Sequence, residues 1–159
     1  MRSLSAYLHG PMDLRLDTAE LPKPGPTQIV AKVHACGICG SDIACYLGRL
    51  HEGRYDLGPY VPGHEWCGEV VEVGSAVPTL KPGDKVVAES VIACNHCQPC
   101  KEGMNNSYCQ NWLHCGFEPD GYGAMAEYIL GEEQFTYRVP DSRSYEEGAL
   151  VECCSIPYY

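Results

Sequence analysis

Four cysteines fall within sixteen residues, CNHCQPCKEGMNNSYC from Cys94 to Cys109, and no other stretch restricts the chain so severely. The spacing is CxxCxxC, then eight residues, then the fourth cysteine. Four thiolates at about 2.3 Å from one ion form a tetrahedral zinc site, and loops this short close at little entropic cost. Such a site is saturated by protein ligands, so it adds folding free energy and leaves no position for Lewis-acid chemistry. An iron–sulfur cluster or unligated thiols are the other uses of the pattern, and the spacing favours structural zinc on Cys94, Cys97, Cys100 and Cys109. His96 lies inside the cluster and could compete as a ligand, but four thiols already satisfy the ion. A surface position is expected for it.

The rest of the chain is that of one globular unit. With 159 residues and 45% hydrophobic content it can bury one core, but it is short for two domains. A formal charge of −10 argues against nucleic-acid or anionic-membrane binding, which leaves a small-molecule or protein partner. The N-terminal MRSLSAYLHGPMDLRLD has no sustained apolar core of a secretory signal, and no stretch approaches the ~20 apolar residues of a membrane helix. A cytoplasmic location is expected, where thiols stay reduced and clustered cysteines bind metals or act in catalysis. The odd total of 11 cysteines also fits a closed disulfide framework poorly.

Short alternating segments divided by Gly and Pro predict strands at SLSAYLHG, MDLRLD, TQIVAKVHACG, EWCGEVVEVG, DKVVAES and AEYIL. The fold class is mainly β with few helices, an antiparallel sandwich or partly open barrel carrying long loops. Two helices are expected. SDIACYL, residues 41–47, starts with Ser41 or Asp42 as cap, and a second begins at Ser144, where Glu147 completes a capping box ahead of GALVECCSI. The uncapped terminal SIPYY reads as an interrupted sequence.

A second set of metal-type residues is dispersed over CGICGSD, PGHEWCG and ALVECC. Cys36 and Cys39 form a CxxC, which in a βαβ context would be a redox dithiol; this region is β-rich. The other reading is an open zinc site, with Cys39 as thiolate, His64 as imidazole and Glu65 or Glu152 as carboxylate, and one position left for substrate. Spacing does not decide between that site and solvated loop residues.

The ordered series CGICGSD, GHE, KPGDKVV, the four-cysteine lobe, GAMAEYI and EEGALVE resembles the catalytic domain of the zinc-dependent medium-chain alcohol and polyol dehydrogenases, nearest the sorbitol dehydrogenase-like branch. The resemblance covers nearly the whole chain. It implies a GroES-like catalytic domain, and an enzyme that transfers hydride between an alcohol or polyol and NAD or NADP. It also implies a homo-oligomer. Position by position it implies Cys39, His64, Glu65 and Glu152 around a catalytic zinc, Ser41 as the hydroxyl beside the substrate oxygen, and Asp42 as the carboxylate that orients His64. The cysteine lobe matches the structural zinc. Zinc in such a site lowers the pKa of a bound alcohol, so that hydride can pass to the nicotinamide near neutral pH.

The chain departs from the pattern in four places. Ala44 stands where a proton-relaying histidine is often found, the last lobe spacing is eight residues in place of seven, and ALVECC replaces ALVEP, so that Cys153 or Cys154 can compete with Glu152. No GxGxxG turn occurs, so the family's α/β Rossmann domain is missing and 1–159 reads as the catalytic domain of a longer enzyme, inactive without its cofactor domain. Two other classes stay open, a zinc-stabilised interaction module and a thiol redox protein using Cys36 and Cys39. In the loop at 48–60, His51, Arg54 and Tyr55 are candidates to meet a polar substrate.

Overall fold

The computed structural model describes residues 2–49, 58–117 and 123–155; His51, Arg54 and Tyr55 lie outside the described residues. Strands β1 (Arg2–Gly10) and β2 (Asp13–Glu20) form an antiparallel hairpin. Then follow β3 (Gln28–Cys36), helix α1 (Gly40–Tyr46), β4 (Trp66–Val73), β5 (Lys85–Ala88), β6 (Val91–Ile92), α2 (Gln98–Lys101), β7 (Leu113–His114), β8 (Tyr128–Glu132), β9 (Thr136–Arg138) and α3 (Tyr145–Ser155).

Five strands form one antiparallel sheet in the order β8-β3-β4-β5-β9, and β6 pairs with β7 separately. Its two edge strands are joined by only a short helical turn, Glu133–Phe135. Four residue steps reach about 14 Å at most, whereas the edges of a flat five-stranded sheet lie about 19 Å apart. The sheet must therefore curl until its edges approach. They do not pair with each other, which makes this the partly open barrel expected from the sequence.

The curl encloses a core of Ile29, Ala31, Trp66, Val70, Leu80, Val86, Cys115, Ala124 and Ile129. Strand β4 is buried on both faces, because successive side chains point to opposite sides. Trp66 and Val70 face the barrel interior, while Cys67 packs with Val87, Val139 and Ala149 beneath α3. Gly148 makes that docking possible: a Cβ there would run into the Cys67 sulfur. Tyr145 fixes the other side of the helix. Its ring stacks on His34 at 4.1 Å, carries Lys85 Nζ 4.8 Å from its centroid, and its hydroxyl lies 3.3 Å from Glu69 Oε2.

Helix α3 starts on the predicted capping box. Ser144 N donates to Glu147 Oε2 at 2.8 Å, and Glu147 N donates to Ser144 Oγ at 3.1 Å. Helix α1 starts earlier than expected. Its cap is Cys39, and Asp42 is the third helical residue, whose carboxylate accepts the Cys39 amide at 2.9 Å. The extended backbone of Cys39 takes the cap role that the hydroxyl of Ser41 suggested for its own position. Strands β6, β7 and β9 and helix α2 have four residues or fewer, too short to show a period in the sequence.

Candidate metal centres

The four-cysteine lobe is shaped by its turns. Asn95 takes a left-handed conformation at φ 61, and Cys97 caps the one-turn helix α2, with Pro in its first turn. These turns bring all four sulfurs within 4.8 Å of one another. Cys97 Sγ lies 3.3 Å from Cys100 Sγ and 3.8 Å from Cys109 Sγ. Bonds of 2.3 Å in a tetrahedron put sulfurs about 3.8 Å apart, whereas a disulfide requires about 2.05 Å. The spacing is therefore that of a metal cage. Backbone amides already point at it: those of Cys94 and Asn111 donate to Cys109 Sγ, and that of Gln110 to Cys97 Sγ. A further amide, of His96, is the main cause holding the Cys94 thiol down to about 6, while contact with Cys97 pushes Cys100 up to about 12. His96 is exposed, with Nδ1 2.7 Å from the Cys94 carbonyl, and stands outside the sulfur cage. Ala93, Cys97, Cys109 and Phe135 form the small core that roots the lobe on the sheet.

The second group unites two distant segments. Cys39 at the start of α1 and His64 and Glu65 in the loop before β4 place a sulfur, an imidazole nitrogen and a carboxylate oxygen within 4.8 Å of one another. His64 is 4% exposed and Glu65 8%, an unusual depth for a loop imidazole and carboxylate that merely face water. Backbone geometry aims them: Gly63 has φ +97, a value side chains resist, and Gly37 N donates to the Glu65 carbonyl at 2.7 Å.

Asp42 joins the two halves of this group. Its carboxylate, 6% exposed, accepts the Cys39 amide through one oxygen and the Gly63 amide at 3.3 Å through the other. His64 Nδ1 is buried 3.9 Å from Asp42 Oδ1, with no hydrogen-bond partner among the described residues. An orphaned buried imidazole nitrogen beside an anionic carboxylate, next to a thiol and a second carboxylate, matches the donor chemistry of zinc. The residues present fit a metal. Ser41 is half-buried in the first turn of α1, between Cys39 and Asp42.

Helix α3 supplies the next donors. Glu152 and Cys153 bring an oxygen and a sulfur within 4.8 Å of each other and of the Glu65 carboxylate, so Glu65 belongs to both groups. Burial and then a hydrogen bond to Glu65 push the Cys153 thiol up to about 11. Exposed Cys154 stands in neither group. Cys36 is also outside them, and burial, reinforced by Asp42 and Glu65, pushes its thiol up to about 12, far from the thiolate a redox dithiol needs.

Sequence reasoning missed the walls of this site. His64 meets the ring of His114 edge-on at 5.2 Å and Phe117 at 5.7 Å, and Trp112 packs on His114 at 5.9 Å. The aromatic run WLHCGF directly after the lobe was the available signal. Ala44, half-buried in α1, has no group to move a proton.

Residues 25–141 match the family described as the alcohol dehydrogenase GroES-like domain, and the chain belongs to that family. It is 38% identical over 154 residues to sorbitol dehydrogenase of Ovis aries, covering 97% of this chain and 43% of that protein. An uncharacterized zinc-type alcohol dehydrogenase-like protein of Escherichia coli (strain K12) is 36% identical over 166 residues, with 98% and 45% covered. Among solved structures, a short chain alcohol dehydrogenase of Escherichia coli CFT073 complexed with NADH superposes with a TM-score of 0.86 at 27% identity, over 99% of this chain and 44% of that one. The chain thus spans less than half the length of these relatives.

Proposed function

We propose that the chain is the catalytic domain of a zinc-dependent oxidoreductase that moves hydride between an alcohol or polyol and NAD or NADP. The observation that carries this reading is the convergence of half-buried Cys39 with buried His64 and Glu65 from a separate segment. Sorbitol dehydrogenase among the relatives and NADH in a structural neighbour support the substrate and cofactor classes.

Cys39, His64, Glu65 and Glu152 would hold a catalytic zinc, which would supply Lewis-acid polarisation of the substrate oxygen. Asp42 locks the Cys39 and Gly63 backbones together and orients the His64 ring. Ser41, one residue before Asp42, presents its hydroxyl to the substrate oxygen and takes its proton. With Ala44 three residues further along the helix, that proton leaves through water. His114 and Phe117 wall the ligand cluster and keep bulk water from it. Cys94, Cys97, Cys100 and Cys109 would hold a second, structural zinc that braces the lobe. A Rossmann domain elsewhere in the polypeptide completes the cofactor site, so residues 1–159 alone are inactive, and the full-length protein is a cytoplasmic homo-oligomer.

The test is a screen of the full-length protein against alcohols and polyols with NAD and NADP, following reduced cofactor by absorbance. Turnover lost in Cys39→Ser, with the fold retained, supports the reading. Equal turnover in Cys39→Ser would remove it.

A further inference from the structure

We propose that Glu65, Glu152 and Cys153 form a further metal position beside the open site, one that takes an additional zinc-like divalent ion and shares the Glu65 carboxylate with the first; this rests on the reading of Cys39, His64 and Glu65 as ligands. The donor atoms of the region do not gather into one set. Cys39, His64 and Glu65 lie within 4.8 Å of one another, as do Glu65, Glu152 and Cys153, and Glu65 alone belongs to both triads. A carboxylate has two oxygens and can bridge two ions, which in paired metal sites stand about 3.5–4 Å apart.

The charge of the region calls for more than one cation. Glu65 is 8% exposed, and among the described residues no N–H or O–H group donates to its carboxylate. Gly37 makes room for that carboxylate, since a Cβ on Gly37 would collide with Glu65 Oε2. Neither Glu65 nor Glu152 forms an ion pair with a described lysine or arginine, and the last turn of α3 carries no basic residue. A buried carboxylate left without donors or counter-charge is costly. As ligands, Cys39, Glu65, Glu152 and Cys153 each carry one negative charge; one divalent ion offsets half of that total, and two offset all of it.

The position is also reachable. Glu152 and Cys153 are half-buried, and Glu152 lines a cleft of about 780 Å³ between α3 and the lobe segment around Asn105 and Tyr108. With one ion bound, Glu152 serves it together with Cys39, His64 and Glu65. Toward a second ion arriving through the cleft, Glu152 and one Glu65 oxygen turn as donors. The Cys153 S–H bond breaks, its proton passes to solvent and a sulfur–metal bond forms. Cys39, His64 and the other Glu65 oxygen stay with the first ion. One thiolate with two carboxylates suits borderline-soft zinc, and the sulfur also accepts softer cadmium.

The test titrates cadmium into the zinc-loaded full-length protein, counts bound zinc and cadmium after equilibrium dialysis, and records the thiolate-to-cadmium charge-transfer band. The wild type keeps its zinc, takes about one further ion per chain and gains the band. Cys153→Ser loses the band and binds the further ion roughly 10-fold or more weakly, while Glu152→Gln weakens it by a similar factor and keeps the band. Cys154→Ser, at the exposed neighbour, behaves as wild type. Cadmium that only replaces zinc without raising the total, or a further ion and band unchanged in Cys153→Ser, overturns the inference. Cys39→Ser separates the two levels: if it loses one zinc while the wild type takes no further ion, only this inference fails, and if it loses no zinc the underlying reading fails with it.

Discussion

Replacing Asp42 with alanine removes an acceptor that serves two separate segments. One oxygen takes the Cys39 amide at 2.9 Å in a part-buried setting and the other the Gly63 amide at 3.3 Å in a buried one. Leaving a buried donor unpaired costs about 1–3 kcal/mol, toward the upper end when the acceptor was charged. The Gly63 bond is long, so the two together come to roughly 3 kcal/mol. With a urea m-value of about 1–3 kcal/mol/M, the unfolding midpoint falls by about 1–3 M. The same change frees the ends of α1 and of the His64 loop, so open-site zinc affinity drops roughly 10–100-fold. Asp42→Asn recovers little, because its amide nitrogen turns a donor toward one of the two N–H groups. The assays are urea denaturation followed by circular dichroism, and zinc competition against a chromophoric chelator. An Asp42→Ala protein with the wild-type midpoint and wild-type affinity for both zinc ions would refute the bridging role.

Other consequences follow from single contacts. Gly148→Ala drives a methyl into Cys67 beneath α3 and destabilises the domain by about 1–3 kcal/mol, read as a lower urea midpoint; an unchanged midpoint would mean that α3 is not packed as described. Cys97→Ser removes the lobe's zinc and makes 94–112 the first site of limited proteolysis, while the open site keeps its metal. Asp84 is buried, which raises its carboxyl, but Lys81 and Arg138 outweigh burial and hold it below its ordinary 3.8. A folded value below the unfolded one gives stability that is present above about pH 4 and lost as pH falls through the folded value. Asp84→Asn should therefore be less stable than wild type at neutral pH and converge with it in acid; a constant difference down to the lowest pH would contradict the assignment.

The strands and the α3 cap were legible because both signals are local. Alternation in QIVAKVHAC and the Ser144–Glu147 pair need no knowledge of the rest of the fold. Cys39, His64 and Glu65 were legible as types but became a group only through the resemblance, since 24 residues separate Cys39 from His64 and their segments meet only through the β3–β4 pairing, the Gly37–Glu65 backbone bond and the bridge through Asp42. The placing of Glu152 against Cys153 was not legible. Adjacent helical residues point about 100° apart, and which of them faces inward depends on the docking of Gly148 and Tyr145, contacts that no local pattern encodes. The His114 and Phe117 walls escaped for the same reason, as one ends a two-residue strand and the other follows the turn after it, and they meet His64 only in the folded chain.

The central claim, two separate zinc sites of which one is open, is tested most directly by metal analysis of the purified wild type and Cys39→Ser proteins. The account predicts ~2 zinc ions per chain in the wild type and ~1 in Cys39→Ser, with the lobe still loaded. A wild type that holds only ~1 zinc, or a Cys39→Ser protein that keeps ~2, would contradict it.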